Sequence, residues 1–81
     1  VGSRFAATLR IVGNDDIEIV TNITSIINKE KDVTLRNISI DSSDGIFSGF
    51  IVVGISDTAS LNNLIKKIKT VKGVKDVERS N

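Results

Sequence analysis

The sequence predicts a two-layer α+β sandwich with the element order βαββαβ, and three observations carry that expectation. Residues 38–53 hold a strong β-hairpin signal, two stretches repeat apolar residues at helical spacing, and alternating segments open and close the 81-residue chain. Each element follows from residue type and spacing.

From Arg4 to Val12, Phe5, Ala7, Leu9 and Ile11 fall on one side and Arg4, Ala6, Thr8 and Arg10 on the other, the period-two pattern of a strand. Gly13-Asn14-Asp15-Asp16 interrupts it with turn residues, and Asn14 or Asp15 is suited to cap a following helix. Ile19, Ile23, Ile26 and Ile27, with Val20 beside them, then recur at helical spacing to about Lys29. Isoleucine and threonine are weak helix formers, so this helix needs tertiary packing to hold it. A second strand begins near Val33 or Leu35, and its apolar phase slips before Ile38, the mark of a bulge or a late start. Asp44-Gly45 sits between two apolar-rich runs, and a two-residue type I′ loop requires positive φ at both central positions. That turn sets Ser43 opposite Ile46, Ile38 opposite Ile51, Ile40 opposite Gly49 and Arg36 opposite Val53. It also gathers Ile38, Ile40, Phe47, Ile51, Val53 and Ile55 on one side, leaving Asn37, Ser39, Asp41, Ser48, Phe50 and Val52 on the other. Turn chemistry and hydrophobic pattern thus give one register independently. Ser56-Asp57-Thr58 offers caps for a second helix, along which Leu61, Leu64, Ile65, Ile68 and Val71 form an apolar stripe. Gly73 is expected to end it as a C′ glycine, before a short strand over Val74 to Glu78.

Right-handed crossovers place both helices on one face of a four-stranded antiparallel sheet. Two helices cover one face only, so the other stays open. This is the ferredoxin-like sandwich, expected as one domain over residues 4–80, with Val1–Ser3 compatible with a cloning remnant.

Composition narrows the chemistry. The chain is 40% hydrophobic and 26% charged with a formal net charge of +1, an ordinary globular balance. It contains neither cysteine nor histidine, which removes thiolate and imidazole catalysis, the common zinc sites and disulfides. That is compatible with the cytoplasm, where we expect the protein to act. No apolar run approaches the ~20 residues that cross a bilayer, so no membrane partner is expected. With no methionine, the chain is expected to be a domain of something longer.

Three surfaces merit weighing. Arg10, Phe50 and Val52 lie on the open face and are read as an interface, against the plainer account that single exposed apolar residues are common. Lys66, Lys67, Lys69 and Lys72, with Lys75, are suited to phosphate contact with RNA, against the plainer account of a solvated helix face. RNA-recognition domains of this topology stack bases on several strand aromatics, whereas the open face here carries one, Phe50. Asp15, Asp16 and Glu18 suggest an acid pair, but carboxylates at a helix start are explained by the free N–H groups there. No nucleophile stands with a base, so neither catalytic residues, a metal nor a cofactor is expected.

Gly13-Asn14-Asp15-Asp16, Ile19-Val20-Thr21-Asn22-Ile23-Thr24-Ser25-Ile26-Ile27, and Val71-Lys72-Gly73-Val74-Lys75-Asp76-Val77-Glu78-Arg79 resemble an ACT domain over about residues 4–79. With Asn37-Ile38-Ser39-Ile40 and Asp44-Gly45-Ile46-Phe47-Ser48-Gly49, the chain looks most like the C-terminal ACT domain of RelA/SpoT-type GTP pyrophosphokinases, which make or degrade guanosine tetra- and pentaphosphate. The resemblance implies a non-catalytic regulatory module within a larger enzyme. Its implied role is to relay amino-acid starvation through a homodimer, other domains of the parent, or the ribosome and its RNA. It further implies an amino-acid ligand loop at Gly13, Asn14, Asp15, Asp16, Ile17, Glu18 and Ile19, where helix N–H groups meet a carboxylate. The family loop usually has a basic residue where Asp16 stands and glycine where Glu18 stands, which implies a weakened or lost pocket here. The alternatives are an amino-acid-sensing ACT domain of another metabolic enzyme, or an RNA-contacting module using the basic second helix.

Overall fold

The alternation at the start of the chain becomes β1 (Phe5–Asn14), followed by α1 (Ile17–Lys29), β2 (Val33–Ser43), β3 (Ile46–Ile55), α2 (Thr58–Lys69) and β4 (Val74–Arg79). The computed structural model describes residues 4–14 and 17–80. The strands form one antiparallel sheet in the order β2-β3-β1-β4. Phe47, Ile51, Val53 and Ile55 alternate inward from β3, as Ala7, Leu9 and Ile11 do from β1, and Val77 joins them from β4. Against this face α1 buries Ile19, Ile23 and Ile27, and α2 buries Leu61, Leu64 and Ile68. Each such burial contributes about 1.5–3 kcal/mol. That packing is what holds α1, whose residues have little helix preference of their own.

The hairpin register is as the turn chemistry required. Asp44 and Gly45 both have positive φ, 55° and 76°, and Ser43, Ile40 and Ile38 face Ile46, Gly49 and Ile51. One pairing differs: Leu35, not Arg36, opposes Val53, because the ladder shifts between Leu35 and Asn37 and leaves Arg36 as the bulged residue. Its side chain lies over Gly54, in space that a side chain there would need.

Ile38 and Ile40 also depart from expectation. They lie on the helix-bearing side, opposite buried Ile51 and Gly49, yet remain 36% and 41% exposed. Beyond Leu35, no residue of β2 is buried. Eleven strand residues extend about 37 Å whereas the thirteen of α1 extend about 20 Å. The outer part of this edge strand runs past its cover.

Two boundaries shift as well. Gly13 and Asn14 belong to β1 rather than to a turn, so Asn14 is not a helix cap; Asp15, the other candidate, lies outside the described residues. α2 stops at Lys69 with Thr70 as its C-cap, so Gly73 is not its C′ residue. The Thr70 hydroxyl donates to the Lys67 carbonyl at 2.6 Å and Val71 N–H to that of Ile68 at 3.0 Å, closing the last turn tightly. Gly73, with φ 95°, instead forms the turn into β4.

The first and last strands are tied together. Ser80 N–H donates to the Thr8 carbonyl at 2.9 Å, and the Arg79 guanidinium lies 5.6 Å from the Phe5 ring centroid. At the other helix, Asp57 is the expected N-cap, accepting from Ser60 N–H at 2.6 Å. That backbone hydrogen bond, reinforced by the Ser60 hydroxyl, holds the Asp57 carboxyl below its ordinary 3.8. A depressed carboxylate stabilises the fold above its unfolded pKa and loses that contribution as pH falls through its folded value. Asp57→Ala is therefore expected to lower the thermal midpoint at neutral pH and to flatten its decline below pH 3.8. Asp57→Asn, still a competent cap, retains the neutral-pH midpoint but not the acid dependence. Thermal melts at several pH values check both.

Candidate functional site

The β1–α1 junction is assembled around two glycines. Gly13 is buried at the end of β1, where the β1–β4 ladder shifts register, and a Cβ there would meet the Gly73 carbonyl oxygen at 2.6 Å. The same carbonyl accepts from Asn14 N–H at 2.9 Å. A Cβ on Gly73 would in turn meet the Ile19 side chain at 2.8 Å. The end of β1, the turn before β4 and the first turn of α1 therefore interlock: a side chain at Gly13 would meet backbone, and one at Gly73 would have to displace the Ile19 tip from a positive-φ position.

Around this junction lies a cleft of about 210 Å³ lined by Asn14, Glu18, Asn22, Lys72 and Gly73. Two carboxamides, a carboxylate and an ammonium give it both hydrogen-bond senses and both charges. Of the expected ligand loop, Asn14 and Glu18 line the cleft, Gly13 supports it from within, and Ile19 is 1% exposed and belongs to the core. Ile17 is the first residue of α1, and Asp15 and Asp16 lie outside the described residues. Asn22 and Lys72 are lining residues that linear sequence did not group with the loop. Asn22 follows Glu18 by one helical turn, a signal that was available, whereas Lys72 arrives only through the Gly13–Gly73 contact.

That placement divides the lysines. Lys66 and Lys69 are exposed on α2, and Lys67 pairs with Glu30, tying α2 to the end of α1. Lys72 belongs to the cleft instead of continuing the α2 surface.

On the open face Arg10 and Phe50 are cross-strand neighbours, and Arg10 stands 4.0 Å from Glu78. Phe50 is 46% exposed, Val52 beside it is half-buried, and Ile46, not singled out from sequence, is 47% exposed on the same side. Strict alternation from Phe50 and Ser48 places Ile46 there. No group of three metal-ligating side chains occurs among the described residues, and no described helix is long and apolar enough to cross a membrane.

A βαββαβ sandwich with sheet order β2-β3-β1-β4 and two helices has the ferredoxin-like architecture of an ACT fold. The ACT domain family matches residues 2–79, and the chain belongs to it. The crystal structure of the ACT domain from the GTP pyrophosphokinase of Chlorobium tepidum is similar at 36% identity and a TM-score of 0.85, over 96% of this chain and 100% of that one. The solution structure of that domain gives a TM-score of 0.81 at 36% identity, over 96% of this chain and 88% of that one. An ACT domain protein from Streptococcus pneumoniae, at 22% identity and a TM-score of 0.71 over 95% and 90% of the two chains, shares the fold. No curated protein matches the sequence.

Proposed function

We propose that this chain is the regulatory ACT module of a RelA/SpoT-type GTP pyrophosphokinase, coupling amino-acid starvation to guanosine tetra- and pentaphosphate levels. The observation that carries this reading is the 36% identity spread over the whole length of the Chlorobium tepidum ACT domain. The cleft supports relay over tight amino-acid capture: Glu18 brings negative charge beside any bound α-carboxylate, and Ile19 is spent on the core. Signal then passes through contacts with a second copy, with other domains of the parent enzyme, or with the ribosome. Among these, the open face with Arg10, Phe50 and Val52 is the surface we assign to other domains.

The test is a domain exchange. This chain replaces the ACT domain of the Chlorobium tepidum enzyme, and nucleotide accumulation is followed in amino-acid-starved cells with no other synthetase. Starvation-responsive accumulation close to that of the parent enzyme is expected. Accumulation indistinguishable from that of an enzyme lacking its ACT domain overturns the reading.

A further inference from the structure

Among all the aspartates and asparagines of the chain, Asp44 alone is followed by glycine. A side chain on the following residue crowds the approach of its backbone nitrogen to the aspartate carboxyl carbon, and glycine has none. Nothing lies within 4 Å of the place a Cβ on Gly45 would take, and both residues are exposed. The last pair of the β2–β3 ladder is Ser43 with Ile46, which leaves the Asp44–Gly45 peptide outside it.

The turn is also close to the conformation that ring closure needs. A succinimide joining Asp44 Cγ to Gly45 N holds Cβ and that nitrogen on one side, which sets ψ of Asp44 near about −120°. With φ near +60°, this is the first central position of a type II′ turn, and Asp44 already has φ 55°. Only the Asp44–Gly45 peptide plane must flip, taking Gly45 from φ 76° to about −80°, which glycine accepts without a clash. Types I′ and II′ both close two-residue hairpins, so the strands keep their register throughout. For an open aspartate the flipped form is a costly, short-lived excursion, and the ring traps it. Other aspartates lack this freedom. Asp41 is held in the ladder opposite Ser48, and the Asp57 carboxylate accepts from Ser60 N–H at 2.6 Å.

We propose that Asp44 is a site of backbone self-modification, converting to isoaspartate within the folded hairpin. Gly45 N attacks Asp44 Cγ and forms the N–Cγ bond, while the carboxyl hydroxyl leaves as water with the amide proton. Water then adds to the main-chain carbonyl carbon of Asp44 and breaks its bond to Gly45 N, leaving isoaspartate. Addition to Cγ instead restores aspartate. The isoaspartate route carries the chain through Cγ, so one more main-chain atom enters a loop built for two residues. Register at the outer hairpin, where Ile38, Ile40 and Ile46 are already exposed, is then the first to loosen. This chemistry is independent of the regulatory reading.

The test keeps the intact chain for weeks at neutral pH and physiological temperature in water enriched in heavy oxygen. Peptide mapping, with fragmentation to locate the label, follows each aspartate. Heavy oxygen is expected in the carboxyl groups at position 44, with isoaspartate accumulating there and Asp41 unchanged. Asp44→Asn keeps a preferred type I′ pair and reaches the same ring by releasing ammonia, so it is expected to convert many-fold faster. Asp44→Glu, which needs a larger ring, is expected to take up no label. Equal labelling at Asp41 and Asp44, or none at Asp44, overturns the proposal. Urea below the unfolding transition is expected to leave the rate unchanged; a rate rising in proportion to the unfolded fraction also overturns it, since the folded turn would then be inert.

Discussion

Leu64→Ala is expected to cost about 2–5 kcal/mol, the largest loss from any single side-chain truncation considered. Leu64 is 0% exposed at the centre of α2, between Leu61 and Ile68 on the stripe that faces the sheet. Alanine is the better helix former, so helix preference slightly offsets the change and the whole deficit is lost packing. A domain of this size has about 5–15 kcal/mol of stability in all, so the variant keeps only part of it. In urea the midpoint falls while the slope stays constant, and the thermal midpoint drops by about 10 °C or more. A loss below about 1 kcal/mol would mean that the two layers close over the gap far more readily than cores of this density do.

Gly13→Ala is the second. The added methyl falls 2.6 Å from the Gly73 carbonyl oxygen and 3.2 Å from the Cα of Val74, both backbone atoms that cannot rotate aside. Relief requires the end of β1 to part from the turn before β4, stretching the Asn14–Gly73 hydrogen bond. Overpacking of this kind costs about 1–3 kcal/mol. The perturbation also reaches α1, because Gly73 is packed against Ile19. Amide shifts in the variant are expected at residues 71–74 and along the first turn of α1, with the β2–β3 turn unmoved; shifts confined to residues 12–14 refute the interlock.

The sequence made the sheet legible because two independent signals agreed. Asp44-Gly45 dictates the turn, and the alternation of Phe47, Ile51, Val53 and Ile55 dictates the same side. The isoleucine spacing from Ile19 to Ile27 likewise located α1 to its last residue, Lys29. What stayed hidden depends on tertiary distance. Alternation reports which side Ile38 and Ile40 face, but not whether a helix extends far enough to cover them. Periodicity carried the apolar stripe through Val71, which is buried from a turn and not from the helix, a distinction that spacing does not contain. Gly13 reads as a turn residue, and only the fold reveals that it is glycine because another backbone passes beside it. Of the cleft itself, Asn14 and Glu18 sit close together in the sequence, whereas Lys72 comes from near the far end of the chain and joins them only through the fold.

The closure between Ser80 and Thr8, and between Arg79 and Phe5, has a consequence for how such a unit is carried. The polypeptide enters and leaves at neighbouring points on adjacent strands. A force applied at either point bears directly on β1 and β4, the strands that meet at the Gly13–Gly73 junction.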